Sequence, residues 1–195
     1  MKNKEANMNI TEIIKEEVIK RDKEDQKTRE YSFYEEHIKY VVKNAKDLAI
    51  KYNADIEIVE LAALLHDIAI ISKVGDREEH HINGSIIAEE LLTKYNYPKD
   101  KIERVKQCIL KHRGSVTIPR NTIEEEIIAD ADAISHFDNI TLLFFTALKR
   151  KGKNIKEASL WVEKKIAKDY NKLSERTKLE LKDRYENIVN ILFNK

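Results

Sequence analysis

The sequence has little of what shapes disulfide-rich, turn-rich or membrane-spanning proteins. Among its 195 residues are one cysteine, two prolines and four glycines. A single thiol excludes an internal disulfide and fits a reducing compartment, while the scarcity of Pro and Gly favours long helices over tightly turned strands. The longest apolar runs, such as 61–65 and 140–145, are too short to span a bilayer. Because residues 1–10 carry no apolar stretch of the signal-peptide type, we expect a soluble, cytoplasmic protein.

The sequence also lacks an excess of charge of either sign. Its 36 Lys and Arg residues face 35 Asp and Glu residues, for a formal net charge of +1. This balance gives no bulk attraction to a nucleic-acid polymer or to an anionic membrane, so neither is expected as a partner. The charged run at 21–30 is expected to be a solvated helix face or a connection.

Apolar residues, by contrast, recur at helical spacing along almost the whole chain. A first stripe covers 10–18, and the only β-like segment, 116–118, is too short to build a sheet. The further predicted helices cover roughly 31–52, 55–70, 86–95, 100–111, 122–137, 139–148, 154–169 and 179–192. We therefore predict an all-α, single-domain helical bundle, in which residues 1–30 are a helical extension packing on a domain of residues 31–195.

Capping residues mark several of the predicted helix starts. Asp55 is a predicted N-cap. Three pairs have the spacing of a capping box, in which a polar residue and a Glu three positions later satisfy each other's backbone amides; they are Asp100 with Glu103, Thr122 with Glu125, and Asn154 with Glu157. The polar segments 72–84 and 113–121, rich in turn-forming residues, are predicted loops.

Five titratable residues fall on the apolar sides of these helices, where an unpaired charge is costly. They are His37, His66, Asp67, His112 and Asp132. Each alone has an ordinary explanation, a core His with one hydrogen bond or an Asp in a cap or buried ion pair. Lys and Arg, however, fall almost entirely on polar faces, so cationic partners for the two Asp are not evident. A divalent cation such as Mn, Fe, Co, Ni, Zn or Mg would satisfy all five together.

In this order, the residues resemble the HD-domain superfamily of metal-dependent phosphohydrolases, in which a first His precedes a His-Asp pair, further His and a distal Asp. The matching segments are “EEHIKYVVKNAKDLA” with His37, “LAALLHDIA” with His66 and Asp67, “EHHINGSIIAEELL” with His80 and His81, “CILKHRGS” with His112, and “IIADADAISHF” with Asp132. The resemblance covers about 31–150 and is expected to continue to the C-terminus. It implies an HD-domain helical bundle.

Position by position, the resemblance implies that His37, His66, Asp67 and Asp132 hold a primary divalent metal ion. Asp132 is preferred to Asp130 because the family's ligand follows the Ala of “ADA”.

In family members with two metals, a loop His four residues before a Gly and a later His bind the second ion. This implies His80, four before Gly84, and His112, which would contact a phosphate if a second ion is absent. His81 lies one position out of this register, with an exposed loop His as its alternative. His136 could reach the same rim but is expected to be a packing residue.

The sequence departs from several branches of the family. Many members have Gly-Lys at the positions of Ala69 and Ile70. The small bacterial 5′-nucleotidases have a Glu at the position of Ile70. The Glu-Asp pair of the alarmone hydrolases is replaced at 71–73, and the Gly-Tyr-Pro signature of the cyclic-dinucleotide branch is missing from “HRGSVTIP”. The most similar members that remain are small single-domain HD hydrolases, which act on nucleotides.

The resemblance therefore implies hydrolysis of a phosphomonoester or pyrophosphate bond of a nucleoside phosphate by a metal-activated water, with Asp67 as the candidate proton acceptor. Arg113, Arg77 and Lys73 are candidate cations for the phosphates, with ordinary surface charges as the alternative. A competing hypothesis is a catalytically weak, metal-containing HD module that binds a nucleotide or a partner as a sensor. A homo-oligomer is left open.

Overall fold

The computed structural model describes residues 9–113 and 119–193, and the regular structure in these ranges is helical throughout. The α-helices are α1 (Ile10–Arg29), α2 (Lys39–Tyr52), α3 (Ile56–Leu65), α4 (Ile68–Ile71), α5 (His80–Lys94), α6 (Lys99–Lys111), α7 (Ile123–Asp138), α8 (Ile140–Phe145), α9 (Ile155–Lys172) and α10 (Glu175–Phe193). Short π-helical turns at Tyr34–Ile38 and Thr146–Arg150 and a 3-10 turn at Arg77–Glu79 join them. The all-α prediction is confirmed; segment 116–118 and most of 113–121 lie outside the described residues.

Helix α3 lies at the centre of the fold. It packs against α1, α2, α5, α6 and α7, and Leu61, Ala62 and Leu65 on it are completely buried. Apart from Glu57 and Glu60, which pair with Lys101 and Lys46, the helix is apolar. A helix that is apolar on most of its faces must be covered on most sides, and the neighbouring helices do this. None of the helices in the described ranges is both long and apolar enough to cross a membrane.

The apolar helix breaks at the His66–Asp67 pair, where one continuous helix is predicted. Asp67 has φ −112° and ψ 20°, a sparsely populated conformation common among active-site residues. It ends α3 and starts the short α4. The break lets two adjacent side chains, which an unbroken helix would separate by about 100°, turn into the same region.

The capping predictions have mixed outcomes. Asp55 accepts a hydrogen bond from Ile58 N, and Asn154 forms a reciprocal capping box with its Glu. The predicted box at Thr122 is only half formed: Thr122 accepts from Glu125 N, but the Glu125 carboxylate accepts from Asn121 N. The predicted box at Asp100 is wrong, because α6 begins at Lys99 with Pro98 as its N-cap. The proline fixes φ just before the helix and moves its start ahead of Asp100.

Two other predictions need correction. The charged run 21–30 belongs to α1 and is not uniformly solvated: Asp22 and Asp25 are 2% and 4% exposed, because donors from the following segments pair with both carboxylates. The predicted loop 72–84 ends early, since α5 starts at His80. The first turn of α5 lines a polar site, so its sequence does not show apolar periodicity.

Candidate metal centre

Four imidazole rings enter one region from four separate elements. His37 lies in the π-helical turn before α2, His66 directly after α3, His80 at the first residue of α5 and His112 directly after α6. His37, His66 and His112 are almost fully buried. π-Helical turns are often found at functional sites, where they re-aim a side chain. The structure thus brings together four of the residues that the sequence predicts as metal ligands.

The Nδ1 atom of three of these rings faces a backbone carbonyl. In His66, His80 and His112 it lies 2.8, 2.6 and 2.6 Å from the carbonyl oxygen of the residue three positions earlier. Because a carbonyl oxygen can only accept, Nδ1 carries the proton in each neutral ring and Nε2 keeps its lone pair. Histidines that bind metals are oriented in this way by their second nitrogen.

Ser135 fixes the fourth ring, that of His37, in the same tautomer. Ser135 Oγ lies 2.6 Å from Asp132 O, to which it donates its proton, and 3.2 Å from His37 Nδ1. Since the single hydroxyl proton is already used, the oxygen accepts from His37 Nδ1–H. The lone pair of His37 is therefore also on Nε2.

These Nε2 atoms face each other in pairs. The distance between them is 3.1 Å for His37 and His66, and 3.1 Å for His80 and His112. Two neutral rings with the proton on Nδ1 cannot form a hydrogen bond through Nε2, because neither nitrogen has a proton to donate. Paired, buried lone pairs require a cation between them or a proton.

Asp67 lies between the two histidine pairs. Its Oδ2 is 3.5 Å from His66 Nε2 and 3.6 Å from His37 Nε2, and its Oδ1 is 3.3 Å from His80 Nε2 and 3.7 Å from His112 Nε2. Within the described residues, this buried Oδ1 has no hydrogen-bond partner. Orphaned buried carboxylate oxygens are rare in folded proteins. The orphan is accounted for if a cation lies between Oδ1 and the two imidazole nitrogens.

Asp132 completes the group on the other side. Its Oδ1 is 3.5 Å from His37 Nε2, and its Oδ2 accepts a 2.7 Å bond from Lys172 Nζ. Burial alone would raise the pKa of this carboxyl, but Lys172 and His136 outweigh burial and hold the pKa well below its usual range. Asp132 is therefore charged and has one oxygen directed at the histidines.

Electrostatics favour charged Asp67 and neutral His112 at this centre. Burial would raise the pKa of Asp67, but the surrounding imidazoles, chiefly His66, hold it well below its usual range. Burial and the neighbouring His66 lower the pKa of His112 to about 3. Charged carboxylate with neutral imidazole is the ligand state that divalent transition metals require.

The ligand atoms form two trios, each with its atoms within 4.8 Å of one another: His37 with His66 and Asp132, and Asp67 with His80 and His112. Mixed nitrogen and oxygen ligands suit ions such as Mn, Fe, Co, Ni and Zn. The residues present therefore fit the divalent metal that the resemblance implies, and their number leaves room for one ion or two.

The structure separates residues that the sequence left ambiguous. His80 lies in the centre, whereas His81 lies outside it. His81 is buried, so the alternative of an exposed loop residue is wrong. Its Nδ1 has no hydrogen-bond partner among the described residues. Asp130 is also buried and accepts hydrogen bonds from the backbone and hydroxyl of Ser174. Asp130 thus anchors the start of α10.

The predicted phosphate-binding cations have different outcomes. Arg77 and Arg113 line the cavity above the centre, and Arg113 donates to Glu78 O. Lys73 points elsewhere, because its Nζ lies 2.9 Å from Asp25 Oδ1 and 2.9 Å from Thr28 Oγ1 on α1. Its role is to tie α1 to the turn after α4.

The cations of α9 were not predicted from the sequence. Lys172, which is 7% exposed at its side chain, pairs with Asp132, whereas Lys and Arg were predicted to lie almost entirely on polar faces. Lys165, Lys168 and Lys172 recur at intervals of three and four and so share one face of a helix; this was the available signal. His136 is not merely a packing residue, since it lines the cavity, stacks on His37 at 5.4 Å and lies 3.0 Å from Asp169 Oδ2.

A cavity of about 570 Å³ opens above the centre. This volume is typical of a small-molecule site. The wall opposite the histidines comes from α8, α9 and the turns beside them, and includes Leu142, Leu143 and Trp161. Tyr31 and Phe33, between α1 and α2, form a further apolar part of the wall. The centre is thus accessible to a ligand that has both charged and apolar parts.

A family model and several known proteins match this chain. Residues 34–136 match the family model of the HD domain. Over 142 residues the chain is 29% identical to a tRNA (cytidine(56)-2'-O)-methyltransferase of Picrophilus torridus, a match that spans 66% of this chain and 39% of that protein. It is 31% identical over 109 residues to an uncharacterized protein of Clostridium beijerinckii, covering 54% of this chain and 68% of that protein.

The fold is also similar to that of a solved structure. The crystal structure of a predicted HD superfamily hydrolase from an uncultured Thermotogales bacterium superimposes with a TM-score of 0.55 at 20% identity. The match covers 92% of this chain and 98% of that one. At this identity the likeness concerns the fold alone.

Proposed function

Because the chain belongs to the HD-domain family of metal-dependent phosphohydrolases, we propose that it hydrolyses a phosphate ester or anhydride bond of a nucleotide. The observation that carries this proposal is the convergence of four Nε2 lone pairs on two carboxylates, one with an orphaned oxygen. The substrate class is supported by a cavity that combines cations with aromatic and aliphatic walls.

His37, His66, Asp67 and Asp132 would hold the primary metal, and His80 and His112 would hold a second ion or contact a phosphate. A divalent ion bound there would lower the pKa of a water molecule and polarise the phosphorus. Asp67 is the candidate acceptor for the proton of the attacking water.

The remaining residues would bind and orient the substrate. Arg77 and Arg113, which line the cavity, would contact phosphate oxygens, and Trp161 with Leu142 would offer an apolar surface for a nucleobase. His37, His66 and His112 are themselves almost fully buried, and low-dielectric surroundings strengthen electrostatic stabilisation of a transition state.

Two measurements test the proposal. Elemental analysis of the purified protein should find at least one transition metal per chain, lost in Asp67→Ala and retained in Asp47→Ala, whose carboxylate is exposed on α2. A panel of nucleotides with Mn²⁺, Co²⁺, Ni²⁺ or Mg²⁺ should then release phosphate or pyrophosphate. A wild-type protein that folds and stays metal-free at saturating ion would contradict the metal centre.

A second candidate function is a sensor that binds a nucleotide without turnover. The observation that favours it is Ile70, which lines the cavity where the nucleotidase branch has a carboxylate. Metal-loaded protein that binds a nucleotide tightly but leaves the whole panel intact would support this function and contradict hydrolysis.

A further inference from the structure

Beside the apolar side chains of α8 and α9, four basic residues line the cavity. They are Arg150 and Lys151, which end the turn after α8, and Lys165 and Lys168 on α9. We call these four residues the basic arm. Arg150, Lys151 and Lys168 are exposed, so a ligand in the cavity can reach their charged groups.

The basic arm begins next to the metal centre. Lys165 Nζ lies 3.2 Å from His136 Nδ1, and the His136 ring stacks on His37. One turn beyond Lys168, Lys172 contacts Asp132. The arm therefore leads from the His37 side of the centre towards solvent, whereas Arg77 and Arg113 are near His80 and His112: the carbonyl of Arg77 faces the His80 ring, and Arg113 directly follows His112.

The cavity carries far more positive charge than the chain as a whole. Among the described residues, eight Lys and Arg side chains line it against four Asp and Glu side chains, although the net charge of the chain is only +1. Of the four acids, Asp67 and Asp132 face the imidazoles and Asp169 pairs with Lys165 and His136. A cleft that concentrates one sign of charge attracts a ligand of the opposite sign.

A single phosphate at the metal centre would leave Lys151 and Lys168 of the basic arm uncompensated, whereas Lys165 already pairs with Asp169. Lys151 lies 5.4 Å from the centre of the Trp161 ring, and Lys168 extends from the same helix as Trp161. These cations lie beside the apolar wall rather than at the imidazoles. Phosphates next to the attacked one would meet them.

We infer that the substrate is a chain of at least two anhydride-linked phosphates, with one phosphate at the centre and the others on the basic arm. This inference rests on the proposed function and selects the phosphoanhydride over the phosphomonoester. In the reaction, the attacked phosphorus gains the water oxygen and its bond to the bridging oxygen breaks. The bridging oxygen leaves with the electron pair on the departing phosphate, and the protons of the water pass to a product oxygen and to solvent.

Binding of inorganic phosphates to protein freed of metal by chelation and dialysis tests the inference without turnover. At constant ionic strength, titration calorimetry should give an affinity for tripolyphosphate at least about tenfold higher than for orthophosphate, because several charge-assisted hydrogen bonds add up. The double variant Lys151→Gln with Lys168→Gln should lose about tenfold in tripolyphosphate affinity.

A matched control removes the same charge elsewhere. The double variant Lys149→Gln with Lys164→Gln removes one charge near Lys151 and one on α9, and neither residue is among the described residues that line the cavity. Its affinity for tripolyphosphate should fall by less than about twofold. Thermal unfolding of every variant checks its fold, and Lys151→Arg with Lys168→Arg should keep the wild-type affinity. The inference would be overturned if both Gln double variants lost the same tripolyphosphate affinity, or if the wild-type protein bound tripolyphosphate and orthophosphate equally well.

The outcome is separable from the proposed function. Arm-dependent binding of tripolyphosphate without hydrolysis of any nucleotide would support the basic arm and contradict the hydrolase. Hydrolysis with unchanged kinetics in the Lys151→Gln, Lys168→Gln variant would support the hydrolase and overturn the arm.

Discussion

At the scale of single residues, Lys172 decides the state of Asp132. Its ammonium group lies 2.7 Å from Oδ2 and is largely buried, so it neutralises this carboxylate when the protein holds no metal. The other oxygen, Oδ1, remains directed at His37. Metal and lysine can therefore share one carboxylate through different oxygens.

Replacing Lys172 by Met should destabilise the metal-free protein by about 1–3 kcal/mol, because Asp132 is left as a buried, unpaired charge. Saturating Mn²⁺ should recover most of this loss, since the ion supplies the missing positive charge. Urea unfolding with chelator and with Mn²⁺ measures both effects. The control is Lys164→Met, two turns earlier on the exposed part of α9, and its stability should change little. If Lys172→Met lost the same stability with chelator and with Mn²⁺, the explanation would be contradicted.

The side chains at the centre could be predicted from sequence only in part. The order of His37, the His-Asp pair, His112 and Asp132 identified them, because the family keeps its ligands in a fixed order. Lys172 could not be found in this way: a lysine on an amphipathic helix normally directs its ammonium group to solvent. Only the packing of α9 on α7 buries this group against Asp132.

At the scale of elements, α1 holds the start of the metal-binding region. Asp22 accepts hydrogen bonds from Ser32 Oγ at 2.5 Å and Phe33 N at 2.8 Å, directly before the π-helical turn that carries His37. Asp25, one turn later, pairs with Arg29 and Lys73. The charged segment thus acts as a clasp between α1, the π-helical turn and the turn after α4.

The contribution of Asp25 to stability should depend on pH. Burial would raise its pKa, but hydrogen bonds from Lys73 and Arg29 outweigh burial and lower it. Because the pKa is lower in the folded than in the unfolded chain, the charged form stabilises the fold above about pH 4, and this stabilisation is lost as pH falls through the folded pKa. Asp25→Asn should therefore be clearly less stable than wild type at pH 7, with a difference that shrinks below pH 4.

Urea midpoints between pH 7 and pH 3 measure this difference. Asp47→Asn is the control, because its partner Lys43 is exposed on the same helix. A gap between wild type and Asp25→Asn that stays constant across the range would show that Asp25 acts through packing and not through its charge.

Helix boundaries were predictable where local chemistry alone sets them. Asn154 starts α9 with a reciprocal capping box, which depends on four consecutive residues. The start of α6 depends on Pro98, and that of α5 on a polar first turn facing the metal centre. Apolar periodicity marks helices that pack on the core, so it misses a turn whose partners are imidazoles and carboxylates.

At the scale of the whole molecule, the metal centre joins helices that are far apart in sequence. Asp67 precedes α4, His80 begins α5 and His112 ends α6. Cys108 lies one turn before His112, is 1% exposed, and has a pKa raised by burial and by the nearby Glu125. Its thiol can react only when α6 separates from its neighbours, since the reactive species is the exposed thiolate.

Labelling of Cys108 by an aromatic disulfide reagent should therefore report how firmly the ions hold α6. Ions at Asp67, His80 and His112 would join α6 to α5, so Mn²⁺ at about ten times its dissociation constant should slow labelling of the metal-free protein about tenfold, in proportion to the stabilisation of the closed state. His81→Ala should keep this effect, because His81 lies outside the two ligand trios, whereas His112→Ala should lose most of it. If Mn²⁺ is bound by elemental analysis and the labelling rate is unchanged, His112 does not contribute to holding the ion.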